Sequence, residues 1–181
     1  MIGKDFNLLV STGRMRELDC KSELMYLLRE IGDDKPSVRT TGIPGLVVAK
    51  TNLDPFEAVN RLRKLLEERP WEFRFTLKVV PIEIVVDTDL ELIRKEAVRL
   101  ANEKIKENET FKIVINRRFT TLGRREVIET VASGINRKVN LDNPDKIVEI
   151  EILGGITGIS VLKPGDILSV VKVKRRLGLK S

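Results

Sequence analysis

A chain of 181 residues with 41% apolar content can build one large or two small hydrophobic cores, and no apolar run approaches the roughly 20 residues a bilayer span needs. A single cysteine, Cys20, excludes an internal disulfide and suits a reducing, cytoplasmic setting, while the absence of histidine removes the commonest general base and zinc ligand. The formal charge of +6 points to an anionic partner only if the cations cluster, so their distribution carries the information.

The amino-terminal apolar stretch lacks a long core followed by a small-residue cleavage pattern, so it reads as a first strand, residues 6–11, and not as a signal peptide. Residues 18–31 place Leu24, Leu27, Leu28 and Ile31 at helical spacing, with Gly32 as the stop. Two short strands, Ser37–Thr41 and Leu46–Lys50, flank the turn residues TGIPG. Asp54 followed by Pro55 and Glu57 starts a second helix, whose stripe is Phe56, Val59, Leu62 and Leu66 and whose end is Pro70. Phe73, Phe75, Leu77 and Val79 then alternate with Arg74, Thr76 and Lys78, the period of a half-buried strand that Pro81 interrupts. The order β-α-β-β-α-β over residues 1–78 predicts a ferredoxin-like domain.

The second half, residues 79–178, follows a different order. Thr88-Asp89-Leu90-Glu91 opens a helix with Leu90, Ile93, Ala97, Leu100 and Ile105 on one face. A strand at Phe111–Ile115 precedes a helix over roughly 123–138, with Val127, Ile128, Val131 and Ile135 inward. Strands 147–153 and 156–162 meet at Gly154-Gly155, and a turn at 163–166 leads to a last strand over 167–174. The fold class is therefore α+β or α/β. Glutamine is absent while Lys, Arg and Glu abound, a bias typical of proteins from hot environments.

The cations do cluster. Residues 112–125 hold Lys112, Arg117, Arg118, Arg124 and Arg125 with no acid among them. Arg117 and Arg118 end a strand, and Arg124 and Arg125 open the next helix, so both pairs flank the loop Phe119–Gly123. Unpaired N–H groups at a helix start attract phosphate, whereas cations there oppose the helix dipole and need another reason to be present. This is the arrangement of a phosphate cradle. A second basic group includes Lys172 and Lys174 near the carboxyl end, and Arg74 and Lys78 share one strand face.

Other motifs fail on context. Gly155-Ile156-Thr157-Gly158 matches the GXXG of KH domains but lies between strands, where a hairpin turn explains it. Strands FNLLVS and GLVVAK offer only Phe6, too little for the stacking face of an RRM. No dinucleotide or P-loop fingerprint is present, so neither cofactor nor metal is expected. Cys20, without a histidine partner, reads as a small buried hydrophobe.

FRFTLKVVPIEIVV, DLELIRKEAVRLA, ETFKIVINRRF, REVIETVASGI, KVNLDNPDKIVEIEI and GISVLKPGDILSV together resemble the THUMP family, whose tRNA-binding module commonly follows a ferredoxin-like domain. With no catalytic domain attached, the arrangement is similar to the adaptor that presents tRNA to a separate RNA cytidine acetyltransferase for N4-acetylcytidine formation. The resemblance implies a non-catalytic protein that grips the tRNA acceptor stem and 3′ end, with DNA and membranes excluded as partners. It places the contacts at Arg117, Arg118, Arg124 and Arg125, with Lys163 after GISVL as a further one; Asn143, Pro144 and Asp145 shape a turn. The alternative is a stand-alone RNA-binding or RNA-modifying protein of another tRNA-modification pathway.

Overall fold

The computed structural model describes residues 2–180, and the chain divides after Pro81 and again after Gly165. One unit runs to Pro81 and resumes at Asp166; the other is Ile82–Gly165. The first contains β1 (Leu8–Ser11), α1 (Glu17–Glu30), β2 (Ser37–Thr40), β3 (Leu46–Lys50), α2 (Pro55–Glu68) and β4 (Lys78–Pro81). These four strands lie in the order β4-β1-β3-β2, all antiparallel, which is the ferredoxin-like arrangement expected from the sequence. Leu24, Leu27 and Leu28 of α1 and Val59, Leu62 and Leu66 of α2 pack with Leu8, Val10, Val47 and Ala49 of the sheet. Asp54 accepts a hydrogen bond from the Phe56 N–H, closing the start of α2 where Pro55 has no N–H to offer.

The strand expected over 73–79 is shorter, and α1 supplies the reason. The Glu23 carboxylate accepts the N–H groups of Arg74 (2.7 Å), Phe75 (3.0 Å) and Thr76 (2.6 Å). Those donors are therefore spent on a side chain, and ladder pairing begins at Lys78, opposite Ser11. The same contact seats Thr76 against Cys20, with Sγ 3.9 Å from Oγ1.

The carboxyl-terminal segment also departs from expectation. Its strand is only β10 (Leu168–Ser169), which adds to β4 at the edge of the first sheet. The Ser169 hydroxyl then accepts the Lys172 N–H and starts α5 (Val170–Arg176), which packs on α2. Alternating Val and Lys in VVKVK mimics a strand, but Val170 and Val173 lie one helical turn apart and are both buried. Residues 166–178, assigned by sequence to the second domain, thus belong to the first unit.

The second unit holds β5 (Ile84–Asp87), α3 (Leu90–Lys104), β6 (Thr110–Arg118), α4 (Arg124–Ala132), β7 (Lys138–Val139), β8 (Lys146–Leu153) and β9 (Ile156–Leu162). Its sheet order is β5-β9-β8-β6-β7, with β6 parallel to β7 and β8 and the other pairs antiparallel. Helices α3 and α4 pack together over one face, burying Ile93, Ala97, Val127 and Val131 against Phe111, Ile115, Val148, Ile150 and Ile159. Helix α4 ends at Ala132, short of the expected 138, because Ser133-Gly134 turns the chain. A Cβ on Gly134 would lie 2.6 Å from Val98 of α3, so the closeness of the two helices excludes any larger residue.

Cys20 is fully buried, and burial pushes its thiol pKa from 9.0 up to about 11. The unfolded chain ionises this thiol first, so stability is unaffected below pH 9.0 and falls as pH rises toward about 11. Urea denaturation across that window should register a larger loss in the parent than in Cys20→Ala. Glu23→Ala should cost about 2–4 kcal/mol in the same assay at neutral pH, since the N–H groups of half-buried Phe75 and buried Thr76, with that of exposed Arg74, lose a charged acceptor.

Candidate nucleic-acid interface

Strand alternation sorts the cations at the end of β6. Phe111, Ile113 and Ile115 face α3 and α4, so Arg117 ends on the helix side and Arg118 on the opposite side. The Arg117 guanidinium turns back over the loop and donates from Nη1 to the Leu122 carbonyl at 2.9 Å, while the residue stays exposed. Arg118 instead forms an ion pair at 2.8 Å with Glu151, whose side chain is 2% exposed. Asn116 donates to the same carboxylate at 2.8 Å and lies 3.5 Å from Glu149. Glu149 and Glu151 are both buried, so Arg118 neutralises an interior carboxylate and is not a free phosphate ligand. The expected four-guanidinium cradle loses one member.

Arg124 and Arg125 are exposed on the first turn of α4. Arg125 reaches Glu129 at 3.3 Å, but both side chains are largely exposed and the pair holds weakly. Arg124 has no side-chain partner among the described residues. The start of α4 is open: its N-cap is Gly123, with no side-chain acceptor, and the first bond of the helix is Val127 N–H to the Gly123 carbonyl. Helix α3 starts at the same edge of the sheet, since Asp87, Ile156, Leu153 and Arg118 are register neighbours, but there Asp89 accepts the Leu92 N–H. One helix start carries its own carboxylate and the other has no side-chain acceptor.

Between these segments lies a depression of about 410 Å³, lined by Thr88, Phe119, Thr120, Thr121, Gly154 and Gly155. Its framework is hydrogen-bonded: Gly154 N–H donates to the Arg118 carbonyl and Thr88 N–H to the Gly155 carbonyl, each at 2.8 Å. Phe119 stands over it with 74% of its surface exposed and a left-handed backbone, φ +54°. Sequence reasoning passed over this residue; an aromatic set among cations in a strand-to-helix loop was the available signal.

The remaining candidates lie on other elements. Lys163 follows β9 at the end where Leu162 pairs with Ile147 and Ile147 with Lys112, six positions along β6 from Arg118 and so roughly 20 Å away. Arg74, Lys78, Lys172 and Lys174 belong to the first unit. There Arg74 stacks over the Phe75 ring at 5.4 Å, Lys78 is half-buried in β4, and Lys174 donates to the Phe73 carbonyl at 2.7 Å; Lys172 is exposed. Asn143 and Asp145 shape a turn as expected, with Asp145 accepting the Thr110 N–H at 2.8 Å and Asn143 N–H donating to Asn140.

The model of the THUMP domain matches residues 87–162, from the end of β5 to the end of β9. The chain contains a THUMP domain. Similar folds include PH1313 from Pyrococcus horikoshii, with a TM-score of 0.61 and 23% identity over 87% of this chain and 54% of that one. A 4-thiouridine synthetase solved with RNA and ATP gives a TM-score of 0.56 and 15% identity over 91% of this chain and 42% of that one. TrmN from Thermus thermophilus gives 0.54 and 16%, over 85% of this chain and 44% of that one. This chain thus spans about half the length of each of those proteins. No curated protein is similar to it by sequence.

The two arginines of β6 should separate in a mutational test. Arg118→Ala strands the buried Glu151 carboxylate and should cost about 2–4 kcal/mol in urea unfolding, whereas Arg117→Ala should cost under about 1 kcal/mol.

Proposed function

We propose that this protein is a non-catalytic, cytoplasmic tRNA-binding adaptor that presents tRNA to a separate RNA cytidine acetyltransferase for N4-acetylcytidine formation. The observation that carries the binding half is the open start of α4, where Arg117, Arg124 and Arg125 surround unpaired backbone N–H groups at the end of the THUMP sheet. An RNA phosphate fits both the guanidiniums and the helix end. The RNA-bound 4-thiouridine synthetase with a similar fold supports the same ligand class. The adaptor half rests on composition: without histidine and with a single buried cysteine, the chain has few groups suited to acid–base or nucleophilic chemistry.

The grip is on shape and phosphate, and the acceptor stem with its 3′ end is the part of tRNA that the THUMP resemblance assigns to it. Arg117, Arg124 and Arg125 are the residues assigned to phosphates, with Lys163, Lys172, Arg74 and Lys78 as further candidate cations. Arg118 and Lys174 act within the protein's own structure.

Binding to tRNA should weaken steeply with salt, as counterion release requires. Charge reversal of Arg117, Arg124 and Arg125 to Glu should reduce affinity by at least about tenfold and lower the salt slope by about 3, with no loss of thermal stability. Undiminished binding by that variant would place the interface elsewhere. With tRNA, acetyl-CoA, ATP and an RNA cytidine acetyltransferase, the parent should promote acetylation that neither protein achieves alone; modification by this chain without the acetyltransferase would replace the adaptor reading with that of an RNA-modifying enzyme.

A further inference from the structure

We propose that Phe119 is a stacking platform for one unpaired RNA base, seated over the depression between the loop after β6 and the Gly154-Gly155 turn; this rests on the RNA-binding reading of the same site. A large aromatic with 74% of its surface in water contributes nothing to the core. Its backbone is also strained: φ is +54°, a region that Asn or Gly enters readily and a bulky residue does not. Neither burial nor backbone preference therefore accounts for phenylalanine at this position. A ligand that needs a flat apolar face does.

The surroundings fit such a ligand. The loop is pinned on both sides of the ring, by Gly154 N–H on the Arg118 carbonyl at 2.8 Å and by the Arg117 guanidinium on the Leu122 carbonyl at 2.9 Å. Thr120 Oγ1 adds a third tie, accepting the Leu122 N–H at 3.2 Å. A platform held this way loses little freedom when a base settles on it. Beside it, the glycine turn keeps the floor clear: no atom lies within 4 Å of a Cβ built at Gly154 or Gly155.

Charge fixes the side on which the backbone lies. Arg117, Arg124 and the open start of α4 stand on one side of the depression, and Asp87 and Asp89 stand at the β5–α3 junction on the other. Phosphates belong on the α4 side. The neutral base then extends across Phe119 toward the glycine turn, where the exposed Thr121 hydroxyl can meet its edge. Bases within a duplex are stacked on both faces, so only an unpaired nucleotide can use the ring.

The test compares RNA hairpins with one stem and either a blunt end, a short 3′ extension or a short 5′ extension. Phe119→Asn removes the ring while suiting the left-handed backbone, and Phe119→Tyr retains a ring; thermal melts confirm that both fold. The parent should bind one of the extended hairpins more tightly than the blunt one. Phe119→Asn should lose about tenfold on that extended hairpin and nothing on the blunt stem, with Phe119→Tyr close to the parent. Equal losses on all hairpins, or none on any, would overturn the platform while leaving RNA binding intact. A parent that binds no hairpin and no tRNA would overturn the RNA reading and the platform with it. If an apolar peptide, and no RNA, loses affinity in Phe119→Asn, the ring is a protein-docking point and the platform is likewise refuted.

Discussion

Successive side chains on a β-strand point to opposite faces, and at the end of β6 this alternation gives two adjacent arginines different work. Arg117 falls on the helix side and reaches over the loop; Arg118 falls on the other side and meets a buried carboxylate. The two cations are neighbours in sequence and separate in function. Without Arg118 on Glu151, the strand that carries Arg117 would border an uncompensated interior charge. The exposed cation and the half-buried, paired one are both positioned by the register of β6 on β8.

Helix starts show the same economy. Strands β5 and β6 both deliver their helices at one edge of the second sheet, yet Asp89 closes α3 and Gly123 leaves α4 open. A carboxylate at the first site stabilises the helix by satisfying its own donors and complementing the dipole. Two arginines at the second oppose the dipole, a cost that the proposed RNA phosphate would offset. The contrast lies within one sheet edge, in elements of the same unit, so it reflects the choice of side chains and not a general looseness of the fold.

Much of the fold was legible because apolar periodicity and capping residues agree with the tertiary structure at β1, α1, β3, α2, α3, β8 and β9. Legibility failed where a contact distant in sequence decided the outcome. Residues 73–77 carry a strand pattern, but the N–H groups of Arg74, Phe75 and Thr76 go to Glu23, some 50 positions earlier, which no local window contains. VVKVK reads as a strand until Ser169 caps it as a helix. At the site, the cluster over 112–125 singled out the loop after β6, and the sequence could not show that Glu151 claims Arg118 or that register carries Lys163 to the far end of the sheet. Phe119 was visible in the string and undervalued, since a solitary aromatic ordinarily belongs to a core.

The most direct measurement is a two-dimensional NMR titration of the isotope-labelled 20.6 kDa chain with unlabelled tRNA, following backbone amides together with arginine side-chain N–H groups. The expected result is that shifts concentrate on the amides of 119–126 and 154–155 and on the side chains of Arg117 and Arg124, with the Arg118 side chain little moved. Shifts gathered around Lys163 and the opening of β6, with the α4 start silent, would contradict the assignment of the RNA-binding site.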